Sequence, residues 1–152
     1  MYQEFLSDIR HIILRDLRVV RDEVIVTPDG NLWRTIPGIA NSVGTLALHL
    51  CGNLRHFVGA SLAHDGYLRD RDAEFNSKDL TKTELLQILD DSIFAIDRAF
   101  DELDPEMLDQ SMPNPPAQHS GRSIRFFLIQ LSCHLSRHNG QMNYLRRILS
   151  EY

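Results

Sequence analysis

The sequence predicts an all-α protein built as a four-helix bundle. Four segments repeat apolar residues at three- and four-residue intervals, the period of an amphipathic helix. No segment offers a convincing pair of partner strands. With 152 residues, 43% hydrophobic and 24% charged, the chain is expected to form one domain, residues 1–152, with a single sizeable core.

The elements follow in order. The first helix is expected over residues 2–23, where Phe5, Ile9, Ile12, Ile13, Leu17 and Val20 form one stripe. The connector over residues 24–40 holds two turn signals, Pro28-Asp29-Gly30 and Pro37-Gly38. Residues 24–26 can extend, but no other segment pairs with them. A second helix starts at Asn41 or Ser42, either of which can cap it, and runs to about residue 63. Its stripe is Val43, Leu46, Leu50, Leu54 and Phe57.

Residues 64–80 are polar, with the run Arg69-Asp70-Arg71-Asp72. Their length permits a long crossover between helices 2 and 3 rather than a tight hairpin. The third helix opens on Thr81-Lys82-Thr83-Glu84, a capping box in which hydroxyl and carboxylate each satisfy an end N–H. It buries Leu85, Ile88, Leu89, Ile93, Ile96, Phe100 and Leu103, and Asp104-Pro105 ends it. After the linker Pro113-Asn114-Pro115-Pro116, the last helix covers residues 120–150, about 45 Å at 1.5 Å per residue.

Composition narrows the function. A formal charge of −5 with 16 Lys+Arg argues against nucleic-acid binding, which needs a basic surface to release counterions. No apolar run approaches the roughly 20 residues of a membrane span, and the first twenty residues lack a signal-peptide core. The expected location is cytoplasmic, with Cys51 and Cys133 as free thiols.

The seven histidines are the most informative residues. At about 100° per residue, His138 lies about 40° from His134 and one turn along. Ile124, Phe127, Leu131, Met142, Leu145 and Leu149 fall between about 20° and 80° on the same scale. Both histidines therefore sit in the apolar stripe, where imidazoles are costly unless hydrogen-bonded or ligated. An i, i+4 pair suits chelation of a divalent ion. His49 borders the stripe of the second helix and is the best third ligand, with Asn53 and His56 continuing the same polar ridge. The alternative is three hydrogen-bonded core histidines without metal.

Other metal motifs do not fit. Leu135 stands where a zincin needs glutamate after its first histidine. Leu46, Leu131 and Leu135 stand where a di-iron bundle needs Glu-x-x-His. Cys51 and Cys133 lie about 200° and 100° around their helices from the nearest histidines, so both are expected to be small buried packing residues. His11, His64 and His119 are read as solvated or capping.

The runs Thr45-Leu46-Ala47-Leu48-His49-Leu50-Cys51-Gly52-Asn53-Leu54-Arg55-His56 and His134-Leu135-Ser136-Arg137-His138-Asn139-Gly140-Gln141 resemble the DinB/YfiT-like superfamily of bacterial metal-binding four-helix bundles. The second is similar to that family's His-x-x-x-His-x-Gly-Gln signature. The first resembles a poorly characterised branch. The resemblance covers nearly the whole chain. It implies an up-down-down-up bundle, frequent homodimers, and a three-histidine site at His49, His134 and His138 for zinc, nickel or another divalent ion. Some members of the superfamily are thiol S-transferases or isomerases using a low-molecular-weight thiol.

Three imidazoles leave a position open on the ion for water, a thiolate or a substrate oxygen, and a bound thiol is deprotonated outright. The expected function is thus a metal-dependent enzyme on a small-molecule substrate, a thiol-dependent S-transferase or a hydrolase. Trp33 is either a pocket wall or a core plug. Asn53 and Gln141 can orient ligands, and His56 is either behind the ligands, facing substrate, or at the surface. Arg55, Arg122 and Arg125 bind substrate carboxylates or form surface ion pairs. The competing reading is a non-catalytic module in which metal pins helices or a dimer, with His56 closing the site.

Overall fold

A computed structural model describes residues 1–151; Tyr152, the last residue of the expected domain, lies outside them. Five α-helices form it: α1 Tyr2–Val26, α2 Val43–Leu54, α3 Arg71–Asn76, α4 Lys82–Asp101 and α5 Ile124–Ser150. Among the described residues there is no β-strand, only the isolated bridges Ile36–Ile39 and Ser111–Ser123. No helix among them is long and apolar enough to cross a membrane.

Local chemistry sets the helix ends. Ser42, Thr81 and Ser123 cap α2, α4 and α5 by accepting from the N–H of Thr45, Glu84 and Phe126, and the Thr81–Glu84 capping box is present. Helix α1 continues through residues 24–26 instead of extending. Val24 is fully buried and continues the stripe of Leu17 and Val20, so helical geometry keeps it in the core. Thr27 stops the helix in an extended conformation, its hydroxyl donating to the Glu23 carbonyl at 2.6 Å. Helix α5 starts later than residue 120, because Ala117–His119 form a 3₁₀ turn and Gly121 takes φ +74°, a left-handed conformation that glycine adopts without strain.

Two differences matter for the site. The second helix is α-helical only to Leu54; Arg55–Leu62 is a π-helix, closed by Ala63 N–H donating five residues back to Val58 at 3.0 Å. The wider turn aligns Phe57 and Val58 with Leu62, all buried. Within the expected polar crossover, α3 forms on the cap of Asp70, which accepts from Ala73 N–H at 2.9 Å.

Helices α1 and α2 each pack against both α4 and α5. Their shared core includes Ile13, Leu17, Leu50, Leu54, Leu89, and Leu128, all under 2% exposed. Polar ties fix the register. Along α1, Asp16 and Glu23 meet Asn139, then Asn143 and Arg146, in α5. Arg10 meets Asp97 and Asp101 in α4, whereas Arg21 meets Asp90. Cys51 is buried as expected, and burial pushes its thiol up to about 12. Cys133 is exposed instead, because it lies on the far side of His134 from the apolar stripe.

Glu23 is the buried tie between α1 and α5, 8% exposed, accepting from Arg146 at 2.5 Å and Asn143 at 2.8 Å. Burial alone would raise its carboxyl pKa, but the bonds from Arg146 and Asn143 outweigh it and the pKa is lowered. The folded pKa is below the unfolded one, so the stabilisation is complete above about pH 4.3 and fades as pH falls through the folded value. Glu23→Gln should cost about 1–3 kcal/mol in urea unfolding at pH 7, with the gap to wild type narrowing in acid. A gap independent of pH would contradict this ionic tie.

Candidate metal centre

Helix α2 contributes His49, one turn before Asn53. Helix α5 contributes His134 and His138 from one face. The three rings meet edge to face, with centroids 5.2 Å apart for His49–His134, 5.4 Å for His49–His138 and 4.5 Å for His134–His138. The Nε2 atoms converge: His134 Nε2 lies 3.3 Å from His49 Nε2 and 3.0 Å from His138 Nε2. One ligand atom from each histidine lies within 4.8 Å of the others, and no fourth histidine, cysteine or carboxylate joins them among the described residues.

The other ring nitrogens explain why the Nε2 lone pairs face inward. His49 Nδ1–H donates to Glu74 Oε2 at 3.1 Å, and His138 Nδ1–H donates to Gln141 Oε1 at 2.6 Å. Each bond places the ring proton on Nδ1 and leaves Nε2 as an acceptor. His134 Nε2 can carry at most one proton, so it cannot satisfy both neighbours. A divalent cation satisfies all three. Tetrahedral zinc with nitrogen ligands at about 2.0–2.1 Å would place those nitrogens about 3.3 Å apart, close to the 3.0 and 3.3 Å seen. The donor set therefore fits a metal.

Electrostatics point the same way. His134 is pushed down to about 4 by burial, then by His138, His49 and Arg137. Burial also lowers His138, against the opposing bond to Gln141. Both imidazoles are neutral at pH 7, as ligands must be.

Behind His49 stands a residue that the sequence reading missed. Glu74 of α3 is 6% exposed and accepts from Arg69 Nε at 2.6 Å and Nη2 at 2.9 Å, besides His49. Burial would raise its carboxyl pKa, but the bonds from Arg69 and His49 outweigh that and lower it. An ionised carboxylate behind a ligating imidazole fixes the ring and raises its basicity. Gly52 makes room, since a Cβ there would stand 1.9 Å from Glu74 Oε1. The sequence carried two signals: Asp70 capping Arg71-Asp72-Ala73-Glu74, and a glycine three residues after His49.

A cavity of about 470 Å³ opens over the site, with His49, His134, Asn53, Phe57, Phe127 and Leu131 among its walls. Asn53 is among its lining residues, and its Oδ1 is buried without a partner among the described residues. Gln141 is behind the ligands. Trp33 is not on this cavity; its ring packs across Gly44 and its Nε1–H donates to the Leu80 carbonyl at 2.9 Å. His56 is not on it either, its ring lying 4.7 Å from Phe57. His119, read as solvated or capping, lies on the cavity wall, 5.9 Å from the Phe127 ring. Arg55 stacks on Tyr67, Arg122 on Phe126, and Arg125 pairs with Asp109. The arginines on the cavity are Arg69, Arg71 and Arg137.

Two variants that keep every ligand test the support behind His49. Glu74→Gln should weaken zinc binding about 10- to 100-fold, measured by competition with a chelating dye. Gly52→Ala should weaken it in the same direction, because the new methyl displaces the carboxylate. Unchanged affinity in both would show that Glu74 does not support the ligand.

No curated protein matches the chain at a significant level. One family matches all of it, residues 1–152, and is described as a protein of unknown function, DUF1572. That family lies in the DinB/YfiT-like clan that the two histidine runs resemble. The chain belongs to the DUF1572 family.

Proposed function

We propose that this protein is a metal-dependent enzyme acting on a small molecule, with His49, His134 and His138 as the ligands. The observation that carries the reading is the convergence of three Nε2 atoms, two of them on residues that line an open cavity, His49 and His134. A divalent ion held there supplies Lewis acidity and lowers the pKa of a water or thiol in its open position. The absence of a fourth protein ligand among the described residues favours that open position over the closed, structural arrangement that His56 would have made.

The chain's own groups define the rest. Phe57, Phe127 and Leu131 exclude water from one side of the cavity. Asn53 contributes a polar amide residue to the lining. Among the described residues no carboxylate lines the cavity, and His119 is its imidazole outside the ligand set, placed to accept a proton. Neither cysteine supplies a thiol: Cys51 is buried with its thiol held protonated, and Cys133 is exposed on α5. Thiol-dependent S-transfer therefore draws on a diffusible low-molecular-weight thiol. Hydrolysis is the other chemistry that the site supports.

The order of polar ties supports an up-down-down-up connectivity within one domain. α1 and α5 meet in the same sequence order, and α1 and α4 in the opposite order. A second reading has one specific observation behind it. Phe126, Ile129, Tyr144 and Ile148 are exposed on α5, which favours a homodimer in which metal only pins α2 to α5.

Elemental analysis of untagged protein, purified without a nickel column, tests the enzyme reading first. The expected result is about one equivalent of zinc or nickel per chain, lost in His138→Ala. Loaded protein should then accelerate attack of a small thiol on an electrophile, or hydrolysis of an activated ester. Metal-free wild type that folds equally well with chelator would contradict the metal site. Full loading without either activity would favour the pinning role.

A further inference from the structure

The cavity over the histidines is lined by positive side chains without a negative one among the described residues. The protein carries 21 acidic against 16 basic residues, and several arginines meet carboxylates: Arg10, Arg21, Arg125 and Arg146 pair with Asp97, Asp90, Asp109 and Glu23. The cavity wall holds three guanidiniums, Arg69, Arg71 and Arg137, and no carboxylate among the described residues. Arg69 is committed to Glu74. Arg71 and Arg137 have no carboxylate partner among the described residues. Arg71 is held over the Phe75 ring at 5.4 Å, and Phe75 lies 5.1 Å from the His49 ring, so one free guanidinium is anchored beside the ligand set. Arg137 adjoins His138 in sequence and lines the same cavity as His134.

We propose that this cavity is the binding site of a small organic oxyanion, held at one end by Arg71 and Arg137 and at the other by an apolar body lying on Phe57, Phe127 and Leu131. This rests on the proposed metal site and names the class of its substrate. The planar guanidinium fork matches carboxylate and phosphate oxygens in geometry. Neutral imidazoles do nothing to offset a bound dication, so the filled site would add positive charge to the two free arginines. Both guanidiniums are exposed, so an incoming anion can reach them, and the local excess of positive charge draws anions toward the cavity. The aromatic wall opposite favours an anion with a carbon body over a bare inorganic ion.

Calorimetric titration of the zinc-loaded protein tests this, with zinc content measured on every sample. The probes are phenylacetate, phenyl phosphate and neutral phenylacetamide. Both anions should bind at least about tenfold more tightly than the amide, and the tighter of the two assigns carboxylate or phosphate as the preferred head. In the double variant Arg71→Gln/Arg137→Gln, zinc content should hold and amide binding should not change. The anions should weaken about tenfold or more per guanidinium. Arg122→Gln, outside the cavity, should change nothing. Equal binding of amide and anions, or anion binding unaffected by the double variant, would overturn the proposal. Chelated protein separates the two failures. Arginine-dependent anion binding in a protein that never takes up zinc would sink the metal reading and leave the anion site standing.

Discussion

Three imidazole nitrogens, one from α2 and two from α5, are aimed at one another. Each lone pair needs a proton donor or a cation, and three nitrogens with at most one proton among them cannot satisfy one another. Helices α2 and α5 bring the rings together, and Glu74 and Gln141 hold the ring protons on the outer nitrogens. Burial lowers the pKa of the His134 and His138 imidazoles. A metal site here is thus a property of ring tautomers fixed from behind as much as of three histidines brought close.

The chain also places polar groups in its core with partners matched to them. Glu23 and Glu74 are both nearly excluded from solvent, and each is answered by an arginine and a further donor. Breaking one side of such a pair leaves an unpaired charge in low dielectric, the costly case. One pair ties α1 to α5. The other ties the short α3 to the back of His49. Glycine at position 52 is part of the second arrangement, because any side chain there would occupy the space of the Glu74 carboxylate.

Much of this was legible from the sequence. The hydrophobic period located the four long helices, and the Thr81–Glu84 box marked the start of α4. The i, i+4 spacing of His134 and His138 within an apolar stripe, with His49 on another helix, led to three residues that the fold brings together. What periodicity could not show was non-local or non-repeating. Residues 24–26 read as ambiguous because their helical fate depends on Val24 finding the core. The π-helical turn over Arg55–Leu62 changes the facing of later residues, which a fixed 100° per residue does not track; the alternatives for His56 stayed open in the sequence, and the structure puts its ring against Phe57. Glu74 sat in a charged connector, where a buried carboxylate resembles a solvated one until its partners Arg69 and His49 are known. Of the alternatives open in the sequence, Trp33 packs against the core, and Arg55, Arg122 and Arg125 meet aromatic rings or a carboxylate away from the cavity.

The central claim is that the three Nε2 atoms share one cation. Crystals of protein loaded with zinc and measured at the zinc absorption edge test it most directly. The expected result is one strong anomalous peak at about 2.0–2.1 Å from Nε2 of His49, His134 and His138, with Nδ1 of His49 still bonded to Glu74. A peak elsewhere, or coordination through the Nδ1 atoms with Glu74 released, would contradict it.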